Sequence, residues 1–218
     1  KTQNLISIVG LAVGLFCFSE CFYISRFVGS VDKCFENHER IAEIQLVLPD
    51  NGRTISGISG TIIKDLRLHG WQSAEDFTLL SYAQPKEFYI MDKNDEMLPY
   101  ELSMMETDRL YQKVFTPSLI AGNWEIASQT KNSIVLTEQA ATRMFTSATN
   151  AIGQQMILNN GRFSKEPVTY TVQAVIQNLP ENTSMNFMKK VDLLTLNDDD
   201  GYEHISAKDI TGYYIYAL

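Results

Sequence analysis

From Leu5 to Val28 apolar residues follow one another with no period of polar positions. Between Leu5 and Phe18 no side chain is ionised, and Ser7 is the clear polar exception. Some 24 residues at about 1.5 Å rise reach about 36 Å, and a hydrocarbon core is about 30 Å thick. The stretch therefore predicts a transmembrane helix over residues 1–28. A signal peptide would carry a shorter apolar run and a small-residue cleavage site, and no such site follows. Glu20 lies past the midpoint of the span, where a carboxylate costs less than at mid-bilayer. Gly10 and Gly14 form a G-x-x-x-G, a spacing that lets a second helix approach.

Beyond Val28 the pattern becomes that of a globular domain. Asp32 to Arg40 reads as polar turns at the membrane surface. Ile41, Ile44, Leu46 and Leu48 read as a strand that stops at Pro49, and Asn51-Gly52 as a tight turn. Ser59 can cap a helix from Gly60 to about His69, burying Ile62, Ile63, Leu66 and Leu68. Phe77 to Tyr82, Glu87 to Met91 and Met97 to Met105 read as strands, with Lys93-Asn94-Asp95 turning the last two. Thr107 to Leu119 reads as a short helix and a connection. Ser133 to Leu136 is a short strand, and Thr137 caps a helix to about Phe145. Ala140, Ala141, Met144 and Phe145 form its apolar stripe.

Gln154 to Leu158 is the next strand, turning at Asn159-Asn160-Gly161. The following strand alternates Val168, Tyr170, Val172, Ala174 and Ile176 with Thr169, Thr171 and Gln173, as one half-buried strand should. Asp192 to Leu196 and Tyr213 to Leu218 complete the set. Strands dominate and two helices are well marked, so the fold class is α+β with a mixed sheet.

Composition narrows the functions. The chain has 218 residues, 44% of them hydrophobic and 20% charged, ordinary for a folded protein. Lys+Arg is 18 and Asp+Glu is 26, a net charge of −8. An acidic chain lacks the basic stripe that nucleic acid requires. Three cysteines cannot build a disulfide scaffold: Cys17 and Cys21 fall in the span, and Cys34 just beyond it. His38, His69 and His204 are far apart, with no H-E-x-x-H, C-x-x-C, G-x-S-x-G, Walker A or G-x-G-x-x-G. Asp198-Asp199-Asp200-Gly201 fails as a calcium loop, because Ala207 falls at the position of the bidentate Glu. Glu75/Asp76 and Asp95/Glu96 read as exposed turn carboxylates. Asn182-Thr183-Ser184 fits a glycosylation sequon. No catalytic, cofactor or metal residue is assigned, and the chain is read as not an enzyme.

The order of segments resembles the MacB/FtsX-like permeases of ABC transporters, in the long form common in Bacteroidetes-type bacteria. Asn4 to Leu15 is similar to the family's first transmembrane helix. Asp32-Lys33-Cys34-Phe35-Glu36-Asn37 with Glu39-Arg40-Ile41 is similar to its D-x-F-x-x-N-x-x-R-I, with Cys34 where the family usually has Phe. A second stretch comprises Val114-Phe115, Leu119 to Asn123, Ser133 to Glu138 with Ala140-Ala141, and Ile152-Gly153. A third comprises Tyr170 to Val172, Ala174 to Ile176 and Leu179 to Ser184, like a strand followed by P-x-N-S/T.

The resemblance implies a periplasmic core domain over residues 29–218. Its porter-like part would be about 41–85 and 186–218, with an inserted strand-rich part at about 86–185. The rest of the permease would lie outside this chain, which reads as a piece of a longer protein. It further implies the bacterial inner membrane, with residues after about 28 in the periplasm. The implied partners are an ABC ATPase subunit, a second permease copy, and periplasmic or outer-membrane proteins. The implied role is non-catalytic: coupling ATPase-driven conformational change to events in the periplasm. The residues alone leave a second reading open, a membrane-anchored periplasmic ligand-binding or sensor domain.

Overall fold

The computed structural model describes residues 2–49, 51–57, 60–71, 74–91, 95–159, 167–186, 190–197 and 213–218. Helix α1 (Thr2–Val28) contains the apolar run, and none of its most apolar window is buried. It is long and apolar enough to cross a membrane. A core helix of this composition would be covered by protein, and this one is not.

The strands that follow are β1 (Ala42–Ile44), β2 (Leu46–Val47), β3 (Thr54–Ile55), β4 (Phe77–Ser81), β5 (Gln84–Met91) and β6 (Met97–Asp108). Then come β7 (Leu119–Gly122), β8 (Ser133–Thr137), β9 (Gln155–Leu158), β10 (Val168–Ile176), β11 (Leu193–Asn197) and β12 (Tyr213–Ala217). The helices after α1 are α2 (Gly60–His69), α3 (Tyr111–Phe115), α4 (Trp124–Gln129), α5 (Glu138–Phe145) and α6 (Ala148–Ala151).

One sheet runs β1-β12-β4-β6-β11-β8-β10-β9-β5, and β5 pairs back onto β6. Strands β6, β11, β8, β10, β9 and β5 thus close a ring, and β4, β12 and β1 extend from β6 as a flange. β10 runs parallel to β8 and β11 parallel to β6, whereas the other pairs are antiparallel, so the sheet is mixed as expected. All six ring strands supply the inner core, through Phe88, Leu102, Leu193, Ile134, Val172 and Met156 among others. A second core, with Phe35, Tyr111, Phe115, Trp124 and Met185, lies toward the α1 end of the chain. A third seats Ile62 and Leu66 of α2 on Phe77, Leu79, Ile215 and Ala217 of the flange. The described strands and helices together bear out the α+β class.

Several expectations shift. The strand expected over residues 41–48 is two: β1 joins β12, and β2 leaves to pair with β3 across Asn51-Gly52, where Gly52 has φ 67°. Leu68, expected on the buried face of α2, is 67% exposed, because Ile62 and Leu66, four residues apart, face the flange and Leu68 lies about 200° round the helix from Leu66. β6 continues through Thr107 and Asp108, which the sequence placed in a connection; β11 pairs with both and holds them in the sheet. β7, α4 and α6 were not expected. The Ser59 cap, Lys93-Asn94, Asn160-Gly161, Asp198-Asp199-Asp200-Gly201 and His204 lie outside the described residues.

β10 departs most from its pattern. Val172 and Val175 face the inner core, but Ala174 and Ile176 face the outer one. A register shift against β8 between Val172 and Ala174 is the cause: the extra residue, Gln173, flips the alternation. The Gln173 carbonyl accepts from Asn123 N at 3.1 Å, and Gly122 (φ 82°) lies against it. A Cβ on Gly122 would stand 2.2 Å from that oxygen, so only glycine fits. Asn123 then caps α4, its Oδ1 accepting from Glu125 N at 2.8 Å and Ile126 N at 3.2 Å.

Helix α5 begins as expected, with Thr137 Oγ1 accepting from Ala140 N at 3.4 Å. Ala140 and Ala141 are buried, but Met144 and Phe145 are half-buried against the ring core.

Gly122→Ala should lower stability by about 2–4 kcal/mol, combining backbone strain with overpacking against β10. Phe145→Ala should cost only about 1–2 kcal/mol, less than a fully buried aromatic would. Urea unfolding of the purified chain in detergent measures both, and the glycine must be the costlier site.

Candidate functional site

The last helical bond of α1 is Gly29 N to Ser25 O at 2.9 Å. The chain then turns through residues 29–40, where local turn bonds such as Phe35 N to Asp32 O and Arg40 N to Asn37 O satisfy part of its backbone, and the remaining polar groups need partners elsewhere. They find them on two distant segments. Asp32 adopts a left-handed backbone (φ 59°), which its short polar side chain tolerates. Its N–H donates to Asn182 O at 3.3 Å, and its Oδ1 accepts from Ser184 N at 2.8 Å. Asn182 Nδ2 donates in return to Ser30 O at 3.0 Å and Ser30 Oγ at 2.8 Å.

Farther on, Asn37 Nδ2 donates to the carbonyls of Lys113 (3.1 Å) and Val114 (3.3 Å), at the end of α3. Helix C-termini leave such carbonyls without intrahelical partners. Glu36 N donates to Thr116 Oγ1 at 3.1 Å. Between these polar ties Phe35, 2% exposed, sits edge-on to Phe115 with ring centroids 5.1 Å apart. Phe35 therefore supplies the aromatic anchor. Cys34, where the resemblance expects Phe, is exposed.

The segment over residues 179–186 is itself stiff. Asn186 Nδ2 donates to Leu179 O (3.1 Å) and Pro180 O (2.7 Å), and Thr183 Oγ1 donates to Pro180 O (3.2 Å). Its Met185 is buried, and the Tyr111 hydroxyl donates to Met185 Sδ at 3.2 Å. Tyr111 stacks on Trp124 at 5.7 Å. Burial pushes the Tyr111 phenol far up, so it stays neutral. Two motifs about 150 residues apart in sequence thus meet in one hydrogen-bonded joint at the foot of α1.

Two ion pairs flank the joint. Arg40 Nη2 meets Glu75 Oε2 at 2.8 Å, and Lys113 Nζ meets Asp76 Oδ2 at 3.5 Å. Glu75 and Asp76, read as exposed turn carboxylates, are therefore paired with cations, weakly because three of the four side chains are exposed and Asp76 is half-buried. Asp108 was missed altogether. It is fully buried, and its carboxylate accepts from Thr78 Oγ1 (2.9 Å), Leu79 N (3.0 Å) and Leu110 N (2.8 Å). It ties the ends of β4 and β6 to the start of α3. No sequence motif marks it; an Asp closing a strand looks like any turn residue.

Other candidates separate. His38 Nδ1 lies 3.0 Å from Phe35 O, and His69 is exposed. Among the described residues no three His, Cys, Asp or Glu are grouped to hold a metal ion. The sequon asparagine, Asn182, spends its amide on Ser30 and is half-buried, so the folded joint leaves no room for a glycan there. Cys34 is exposed as a residue, but its thiol is desolvated by its surroundings and faces the Asp32 carboxylate. These push it up to about 11.

Beside the joint opens a cleft of about 700 Å³. Phe27, Val28 and Val31 form its helix-side wall, and Tyr82, Tyr214 and Tyr216 stand on the domain side.

No protein-family model and no curated protein matches the chain. Solved structures do. A domain ascribed to a permease of Porphyromonas gingivalis matches at TM-score 0.62 and 19% identity, over 84% of this chain and 76% of that one. The periplasmic region of MacB from Actinobacillus actinomycetemcomitans matches at TM-score 0.48 and 16% identity, over 82% and 72%. The extracellular domain of the noncanonic ABC-type transporter YknZ, from Gram-positive bacteria, matches at TM-score 0.48 and 11% identity, over 82% and 83%. The chain shares its fold with the Porphyromonas gingivalis permease domain, in line with the resemblance to MacB/FtsX-like permeases.

Asn182→Ala and Asp32→Ala should each cost about 1–2 kcal/mol by urea unfolding, the range for half-buried polar ties. Amide exchange at Ser184 should quicken in Asp32→Ala and stay unchanged at Leu193 in the ring. The Cys34 thiol should be alkylated slowly at neutral pH, its rate still climbing toward pH 11. In the unfolded chain the rate should level near the ordinary 9.0. A plateau at 9 in the folded chain would mean that the thiol is solvated.

Proposed function

We propose that this chain is the extracytoplasmic domain of an ABC transporter permease, anchored in a bacterial inner membrane by α1, with residues after about 28 in the periplasm. It is non-catalytic and couples ATPase-driven conformational change to export or signalling events in the periplasm. The observation that carries this reading is the joint. Ser30, Asp32, Phe35 and Asn37 tie the foot of α1 to two segments of the domain within a few residues of the helix end. A flexible linker would dissipate a tilt or rotation of α1, whereas a packed and hydrogen-bonded one passes it on. The fold shared with the Porphyromonas gingivalis domain supports the same assignment.

In this reading the porter-like part is about 41–85 and 186–218 and the inserted part about 86–185. They move together, because β4 and β11 both pair with β6. The ATPase subunit engages parts of the permease outside this chain, and a second permease copy completes a dimer. The cleft beside the joint favours a second reading, a periplasmic ligand-binding or sensor domain, since small-molecule sites are apolar concavities with a few polar groups.

Orientation decides the first reading. Lys131, exposed in the turn just before β8, is replaced by cysteine in a chain whose native cysteines are changed to serine. In intact spheroplasts a membrane-impermeant maleimide should label Lys131→Cys fully. Labelling only after the membrane is broken would place the domain in the cytoplasm and end the coupling proposal. The purified chain should not hydrolyse ATP, and magnesium-dependent turnover by a clean preparation would contradict the non-catalytic assignment.

A further inference from the structure

We propose that the cleft between the foot of α1 and the tyrosine face of β12 is a binding site for a small lipophilic cation. The inference deepens the ligand-binding reading and does not depend on the coupling role. Its first support is size, because about 700 Å³ lies within the roughly 300–1,000 Å³ of small-molecule sites. Its second is the floor, where Leu80, Met105 and Met185 add apolar surface to Phe27, Val28 and Val31.

The third support is aromatic. Tyr214 and Tyr216 stand two apart on β12, so both face the cleft while Ile215 and Ala217 face the α2 core. Tyr82 meets Tyr214 edge-on, with centroids 4.5 Å apart and planes at 74°. Tyrosine ring faces attract cations, more strongly where water is excluded.

The fourth support is charge. Glu43, opposite Tyr216 in the β1–β12 register, and Glu181 both line the cleft. Neither is in an ion pair among the described residues, and no described Lys or Arg lines the cleft. Arg26, the last cation of α1, lies over the Phe22 ring at 5.4 Å, a turn earlier. Asp32, which does not line the cleft, adds a third carboxylate close enough to act on the Tyr216 phenol. Burial, with Glu43 next in weight, pushes the Tyr216 phenol up to about 12, so the ring stays neutral beside that carboxylate.

This charge pattern selects among apolar occupants. A fatty acid would bring a carboxylate toward Glu43 and Glu181. An aminophospholipid would place its ammonium well but its phosphate badly, with no described cation there to meet it. A compact apolar cation satisfies floor, rings and carboxylates together, and its partition into the adjoining membrane surface would deliver it to the α1 side.

The test uses the full chain in phosphatidylcholine nanodiscs, dialysed against radiolabelled tetraphenylphosphonium, with empty nanodiscs subtracted. Tetraphenylborate, of the same shape and opposite charge, is the control. Saturable binding of one cation per chain is expected, with tetraphenylborate excluded. Glu43→Gln combined with Glu181→Gln should weaken binding about ten-fold, and Tyr82→Ala by a similar factor. Glu138→Gln, exposed on α5, should leave it unchanged. Three outcomes would overturn the proposal: no cation above empty nanodiscs, equal binding of tetraphenylborate, or a co-purified phosphatidylethanolamine that the cation does not displace. None of them bears on the maleimide labelling that tests the coupling role.

Discussion

Strand β6 is the constraint on which the rest of the domain hangs. A strand has two edges, and β6 spends them on more than two partners by being long. Residues Met97 to Met104 pair with β5, and Met104 to Asp108 pair with β11. Leu80 of β4 takes the first edge again, opposite Thr107. The same twelve residues therefore close the ring and begin the flange. Asp108 ends the strand in full burial, and its carboxylate accepts from three separate groups. A carboxylate removed from water is tolerated only when its lone pairs are met in this way. Those bonds orient α3, and the carbonyl end of α3 is what Asn37 grips.

The joint at the foot of α1 is built almost wholly from side-chain amides, a carboxylate and backbone groups. Each tie is modest in net terms, of order 1 kcal/mol. Their value is geometric. Hydrogen bonds specify direction, and Phe35 wedged against Phe115 specifies depth, so the helix end has one seat on the domain. Ion pairs such as Arg40–Glu75 add little rigidity, because both partners are exposed to water and salt. In the proposed coupling, a rotation of α1 is carried through these ties to residues 179–186, to α3 and, through Phe115, to Tyr216 of β12. The cleft lies between those same walls, which puts any occupant where it would feel that motion.

How much of this could be read from the chain depends on the range of the interactions. Local signals were legible. The unbroken apolar run of α1, the Asn51-Gly52 turn, the bounds of α2 and the Thr137 cap all follow from neighbours within a few residues. Asn123 before Trp124 and Glu125 is a cap signal of the same local kind, but α4 is too short to show a helical period behind it. The two motifs that form the joint, Asp32 to Asn37 and Leu179 to Ser184, were visible as a resemblance. That they touch was not, because no local pattern says that Asn182 will reach Ser30.

By itself the sequence determined most of the longer segments that become helix or strand, that one helix is apolar enough for a membrane, and that no motif for catalysis is present. Those properties reside in periodicity, caps and composition, which act over one or two turns. Only the tertiary structure decided the closure of the ring, the flipped alternation at Gln173, the sole fit of glycine at 122 and the burial of Asp108. It also decided that Phe35 rather than position 34 is the anchor, and that three tyrosines and two carboxylates share one cleft. Each of these is a contact between residues far apart in the chain. Their energies exist only after other strands have been placed, so they leave no periodic trace in the order of amino acids.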